Sequence, residues 1–229
     1  MSTFVMSGLY PKFCNAVRNL GNEVIETDSV EIFHVPERTH ADMQLLPIKD
    51  KIFILNECKV SASKLPQNRL VFCERKSERE YPKNILLNCL LLNNNLYGKL
   101  DFIDKKVISY CRENDIKLVN VNQGYTRCST LVINEKAVIT SDKSIEKVLK
   151  NNGVEVLLIS PGNIRLEGFD YGFIGGCGAK INNKILFFGN VENHPDYRQI
   201  KEFCNLYNSN IEILCKDLPL TDIGGIVEL

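Results

Sequence analysis

The chain has no tryptophan and only three histidines and three methionines in 229 residues, and neither sign of charge is in excess, with 28 Lys and Arg against 28 Asp and Glu. A balanced chain sets up no overall field that would gather nucleic acid or an anionic membrane. Neither is therefore expected as a partner. The longest charged stretch, Glu74-Arg75-Lys76-Ser77-Glu78-Arg79-Glu80, mixes both signs and reads as a solvated loop, not a basic groove. No apolar run approaches the roughly 18 residues of a membrane helix, and no basic segment followed by an apolar core opens the sequence. A cytoplasmic location is the expectation. Low-complexity tracts and Pro/Gly/Ser-rich linkers are also missing, so residues 1–229 read as a single domain whose 44% apolar content can fill a core.

Paired cysteines at metal or redox spacing are absent too. The nine cysteines are odd in number, show no Cys-x-x-Cys, and sit mostly in apolar runs, as Cys14, Cys89, Cys111, Cys204 and Cys215 do. Such thiols behave as small core hydrophobes in a reducing compartment. With three histidines and dispersed thiols there is no short-spaced ligand pair, so neither a metal nor another cofactor is expected.

What the chain does have is a repeat. From Cys128 a strand-like run to Ile133 is followed by the turn Asn134-Glu135-Lys136, a second strand Ala137–Thr140, a helix Asp142–Asn152 and a third strand Val154–Ile159. The same order returns in Gly176–Leu214, and looser copies begin near Asp42 and Leu87. Thr3–Thr27 reads as the back half of a copy, and Gly224–Leu229 supplies its missing front strand. Units of this size cannot bury an apolar face alone and must stack. Because the split copy completes itself only where the termini meet, the array should close into a ring. The sequence predicts a five-bladed α/β propeller of ββαβ-type repeats with one site at its axis.

The first strand of each copy should line that axis. The candidates are then Thr39–Met43, Leu87–Cys89, Arg127–Thr130, Gly175–Gly178 and Asp222–Glu228. His40 and Asp42 are two apart, which on an extended strand puts both on one face. With Cys128 they offer an imidazole, a carboxylate and a thiol, the groups needed for covalent catalysis. Cys177, set among Gly175, Gly176 and Gly178, is a second thiol candidate, although those glycines also suit close backbone approach at a crowded axis. His194, in Glu192-Asn193-His194-Pro195-Asp196, reads as a cap or loop residue, and Asp170 and Tyr171 as turn residues.

These segments resemble the guanidine-modifying enzymes, or penteins, which include arginine deiminase, agmatine deiminase, dimethylargininase and glycine amidinotransferase. Thr39-His40-Ala41-Asp42-Met43 resembles their His-x-Asp segment, Arg127-Cys128-Ser129-Thr130 the segment of their nucleophilic cysteine, and Leu220-Thr221-Asp222-Ile223-Gly224-Gly225 their Glu-Gly-Gly segment. The motif order is that of the family read round the ring, as a circular permutation would leave it. The resemblance implies an amidino-group hydrolase or transferase. Cys128 would attack the guanidinium carbon, His40 would move protons, and Asp42 would hold the cation. Arg127, the bound cation or protonated His40 would lower the thiol pKa. The carboxylate that often follows the paired glycines in the family is Ile226 here, so Glu228, on the same strand face, or Asp222 would be the second carboxylate. The alternative is a non-catalytic pentein that binds a small cation or a protein partner through the ring face.

Overall fold

The computed structural model describes residues 1–229 as five sheets of three strands each. The split blade joins both chain ends. Its middle strand β1 (Thr3–Met6) is followed by helix α1 (Pro11–Asn19) and the parallel outer strand β2 (Glu23–Glu26). Blade II follows helix α2 (Ala41–Gln44) and contains β3 (Leu45–Ile48), β4 (Lys51–Ile54), helix α3 (Lys59–Ser63) and β5 (Leu70–Phe72). Blade III contains β6 (Leu90–Leu92), β7 (Asn95–Gly98), α4 (Lys105–Glu113) and β8 (Lys117–Asn120). Blade IV contains β9 (Thr130–Asn134), β10 (Ala137–Thr140), α5 (Lys143–Asn151) and β11 (Glu155–Leu158). Blade V contains β12 (Gly178–Ile181), β13 (Lys184–Asn190), α6 (Tyr197–Leu206) and β14 (Asn210–Pro219). The last strand, β15 (Ile226–Glu228), pairs antiparallel with β1 in the register Phe4↔Glu228, Val5↔Val227 and Met6↔Ile226, which completes the split blade.

Local chemistry sets each blade's hairpin. The two inner strands of a blade are antiparallel and joined by turns with left-handed residues, Lys49 in blade II, Asn93 and Asn94 in blade III, and Asn182 in blade V. Asparagine tolerates that conformation better than most residues. In blade IV the Asn134 side chain instead accepts from the Lys136 N–H at 2.7 Å. The outer strand then returns parallel to the middle one, and a parallel crossover needs the helix that each copy carries.

The middle strands explain why the blades associate. They read as continuous apolar runs, the pattern of a strand covered on both faces. Alternate residues serve opposite neighbours. Ile139 packs with Ile185 and Phe187 of blade V, while Val138 packs with Leu90, Leu92 and Tyr97 of blade III. Leu186 and Phe188 pack with Phe4 and Met6 of the split blade, and Val5 joins the core of blade II. The two-residue period of a strand thus carries the apolar contacts from blade to blade round the axis.

One local expectation is overturned. His40 and Asp42 do not lie on an extended strand: Ala41–Gln44 is a single helical turn with His40 as its N-cap. The inner strands begin a little after the candidate residues, which occupy the segments that enter them.

Candidate functional site

Those entry segments have a common register. Asn88, Cys128, Gly176 and Gly224 each stand two residues before an inner strand, and Met43 holds that place in blade II. The fold therefore brings five equivalent positions toward one axis.

The turn bearing His40 and Asp42 is held from several sides. The Asp42 N–H donates to the Gly224 carbonyl at 3.1 Å, and the His40 N–H to the Glu37 carbonyl at 3.1 Å. Gln44 Nε2 donates to the carbonyls of Asp28 and Arg38 at 2.6 and 2.8 Å, and Thr27 Oγ1 to the Thr39 carbonyl at 2.7 Å. The paired glycines answer this crowding. Gly224 has φ +76°, and a Cβ there would overlap the Cα and Cβ of His40. Gly225 has φ +61°, so both positions favour a residue without a side chain.

In this setting His40, Asp42 and Cys128 converge, with an imidazole nitrogen, a carboxylate oxygen and Sγ all within 4.8 Å of one another. None of the three is more than 3% exposed. His40 Nε2 and both oxygens of Asp42 have no hydrogen-bond partner. Burial pushes the Asp42 pKa up to about 6, with Asp222 adding to the rise and His40 opposing it. Cys128 is pushed well above the usual thiol range by burial and then by Asp42 and Asp222. The lowering of the thiol pKa expected from Arg127 or His40 is not found, because burial first and then the two carboxylates outweigh the hydrogen bond from Asn88. The same three atoms have the chemistry and proximity to ligate a soft divalent metal, a grouping that sequence spacing did not reveal.

Asn88 lies in the Leu87–Cys89 segment that the sequence placed at the axis, but no role for its side chain was read there. Its Nδ2 donates to Cys128 Sγ at 2.9 Å and to the Asp42 carbonyl at 3.2 Å. Its Oδ1 accepts from the N–H groups of Arg127 and Cys128 at 3.0 and 3.3 Å. One fully buried amide thus ties blades II, III and IV together behind the thiol. Its equivalence to Cys128 in the repeat was the available signal.

The other candidates fall elsewhere. Asp222 Oδ1 accepts from the Gly224 N–H at 2.9 Å and Oδ2 from the Phe173 N–H at 2.8 Å, so each oxygen already fixes a loop. Gly172 and Gly176 pack so closely on Asp222 that a Cβ at either would overlap its side chain. Glu228 is exposed and lines a cavity of about 270 Å³ together with Asp42, Arg127, Leu46, Leu91 and Ile226. Arg127 donates from Nη1 to the Thr130 carbonyl at 3.1 Å and borders that cavity on the strand side of the site. Cys177 packs in the core between blades IV and V, with its thiol directed to the Ile174 carbonyl at 3.3 Å. Beside it, a Cβ at Gly175 would overlap the carbonyls of Arg127, Cys128 and Thr130, which is the close backbone approach those glycines permit. His194 accepts at Nδ1 from the Asp196 N–H at 3.1 Å, a loop contact before α6, and Asp170 and Tyr171 are exposed.

On the loop side, Tyr125 stacks on Tyr81 at 5.5 Å between ring centroids and leans on Phe173 at 5.8 Å. Its hydroxyl accepts from Asn84 Nδ2 at 2.7 Å.

Five small sheets round an axis, the split one closed by both chain ends, define the pentein fold. Solved structures of similar shape include a dimethylarginine dimethylaminohydrolase adduct with S-methyl-L-thiocitrulline, at TM-score 0.64 and 9% identity over 100% of this chain and 99% of that one. A second is the Pseudomonas aeruginosa dimethylarginine dimethylaminohydrolase complexed with citrulline, at 0.60 and 8% over 100% and 99%. A third is C. jejuni agmatine deiminase, at 0.56 and 11% over 93% and 86%. The chain itself belongs to the family of unknown function DUF6873, whose model matches residues 4–227. No curated protein sequence matches it. No helix is long and apolar enough to cross a membrane.

Proposed function

We propose that this chain is an amidino-group hydrolase or transferase that works through a covalent intermediate on Cys128. The observation that carries the proposal is the convergence of the His40, Asp42 and Cys128 side chains within 4.8 Å at the ring axis, with the Asp42 carboxylate unpartnered. A buried carboxylate without a donor is costly, and a planar guanidinium supplies parallel N–H donors and a charge to offset it. The same cation offsets the two carboxylates that hold the Cys128 proton on. Cys128 then gives its proton to His40, its thiolate adds to the amidino carbon, and the C–N bond to the leaving amine breaks as His40 passes that proton to the departing nitrogen. In the hydrolase, His40 next takes a proton from water. The hydroxide adds to the thiouronium carbon, the C–S bond breaks, and a ureido product leaves with Cys128 restored. In a transferase an acceptor amine replaces the water. The fold relatives support this reading by the compounds they carry, S-methyl-L-thiocitrulline as an adduct in one and citrulline as a complex in the other.

A second reading, a small-cation binder without turnover, draws on the Cys128 thiol being pushed far up by burial and by Asp42 and Asp222. One experiment separates the two. A panel of guanidines, amidines and ureas incubated with the protein should yield ammonia or amine and a ureido product. Cys128→Ser and His40→Ala should each lower the rate at least about a hundredfold with the fold retained. A panel with no turnover, in which one compound raises the melting temperature equally in wild type and Cys128→Ser, overturns the enzyme in favour of the binder.

A further inference from the structure

Resting on the proposed function, we infer that the substrate's tail lies in a channel on the strand side of the ring axis and ends in an anionic group, held there by Lys180 and Arg127. Two cavities of about 270 and 190 Å³ adjoin on that side, with Arg127, Val132, Ile226 and Glu228 as their common wall. Between them they are lined from the inner strands of all five blades, β3, β6, β9, β12 and β15. The larger reaches Asp42, the carboxylate beside the Cys128 thiol. Each is smaller than the roughly 300–1,000 Å³ of a drug-sized ligand's site, which suits a short, unbranched molecule.

The repeat sets the order of charge along this channel. Alternate residues of a strand share a face, so the residues four beyond the axial positions Cys128, Gly176 and Gly224 look onto the same axis further out. They are Val132, Lys180 and Glu228, and all three line the smaller cavity. That level lies about 13 Å of strand beyond Cys128, and the wall between is apolar, with Leu46, Leu91 and Ile226. Lys180 and Arg127 are half-buried and Glu228 is exposed, and none of the three belongs to an ion pair of the fold. Arg127 spends Nη1 on the Thr130 carbonyl. The channel therefore has one unpartnered carboxylate, Asp42, at its floor and two cations against one carboxylate toward its mouth. The molecule complementary to it is bipolar, with a cationic guanidine or amidine head, a spacer of several methylenes and an anionic end. An ω-guanidino carboxylic acid has that form.

The test uses Cys128→Ser protein, which binds without turning over, and compares three guanidines on one six-carbon chain by calorimetry: hexylguanidine, 6-guanidinohexanoate and 6-aminohexylguanidine. The carboxylate-tailed compound should bind about tenfold tighter than hexylguanidine, the worth of one charge-assisted hydrogen bond, and the amine-tailed compound more weakly than either. Lys180→Gln should remove most of that tenfold preference and leave hexylguanidine unchanged. Lys180→Glu should reverse the order of the two charged tails. Both variants should melt with the parent protein, because Lys180 serves no ion pair of the fold. Equal affinity for 6-guanidinohexanoate and hexylguanidine, or a preference that survives Lys180→Gln in full, overturns the tail site and leaves the proposed function standing. Tighter binding of 6-aminohexylguanidine than of 6-guanidinohexanoate shows that Glu228 governs the mouth and overturns the anionic tail. No guanidine binding to any form overturns the proposed function and the tail site with it.

Discussion

On the rim of the ring, the Asp142 carboxylate caps α5 by accepting from the N–H groups of Ser144 and Ile145 at 2.8 and 2.9 Å and from Gln123 at 3.1 Å. Burial works against its charge, yet these bonds hold its pKa below the usual carboxylate value. At the axis, the Asp42 carboxylate is buried with no donor, and its pKa rises to about 6. Asp222 lies between the two extremes, buried near the axis but with each oxygen on a backbone N–H. The same side chain therefore stabilises the fold at the rim and strains it at the axis, and the difference is the supply of donors. Where a fold leaves acceptors bare, it has kept room for a ligand that brings donors.

The comparison breaks most severely if the ring is opened. Deleting residues 224–229 removes β15 and the carbonyl that holds the Asp42 turn, and bares the edge of β1 to other chains. Circular dichroism should show no cooperative unfolding transition, a loss comparable to the whole stability of a domain of about 5–15 kcal/mol. A truncated protein that melts at the full-length temperature would rule out closure by the chain ends.

A smaller effect of opposite sign is expected at the axis. Asp42→Asn should stabilise the free protein by up to about 3 kcal/mol above pH 7, from a shift of roughly two pKa units at 1.36 kcal/mol each. The sign follows from a folded pKa raised above the unfolded value. The wild type is fully stabilised by the protonated acid below about pH 4 and loses that stability as pH rises through about 6. The variant's advantage should accordingly vanish by about pH 4 in denaturant titrations. An advantage independent of pH would show that Asp42 is not held in its uncharged form by burial.

The least effect belongs to the rim. Asp142→Ala removes the cap of α5 and should cost about 1 kcal/mol at neutral pH. Its folded pKa is depressed, so this contribution is present above the unfolded carboxylate value and fades as pH falls through the folded one. The two aspartate variants should then move stability in opposite directions at pH 7 and converge on wild type in acid.

Much of the ring was readable before any coordinates. Hairpin turns such as Asn134-Glu135-Lys136, the α5 and α6 segments and the apolar middle strands are all specified within a few residues of chain, by turn chemistry and side-chain period. The division of one blade between Thr3–Glu26 and Ile226–Glu228 was visible because each half carries the pattern of its own strands. At the site, the sequence pointed to His40, Asp42 and Cys128 but drew the first two as a strand. A four-residue helical turn is too short to imprint a period, and this one is fixed by distant partners, the Gly224 carbonyl and the backbone of Asp28.

Sequence by itself thus determined the number of blades, their internal order and the need for the termini to meet, because those properties arise from local propensity and alternation of apolar residues. Tertiary structure alone decided that Asn88 stands behind the thiol, that Asp222 and Cys177 are occupied by the scaffold, and that Asp42 is left without donors. Satisfaction of a polar group depends on what residues far away in the chain bring to it, and only the assembled axis sets that balance.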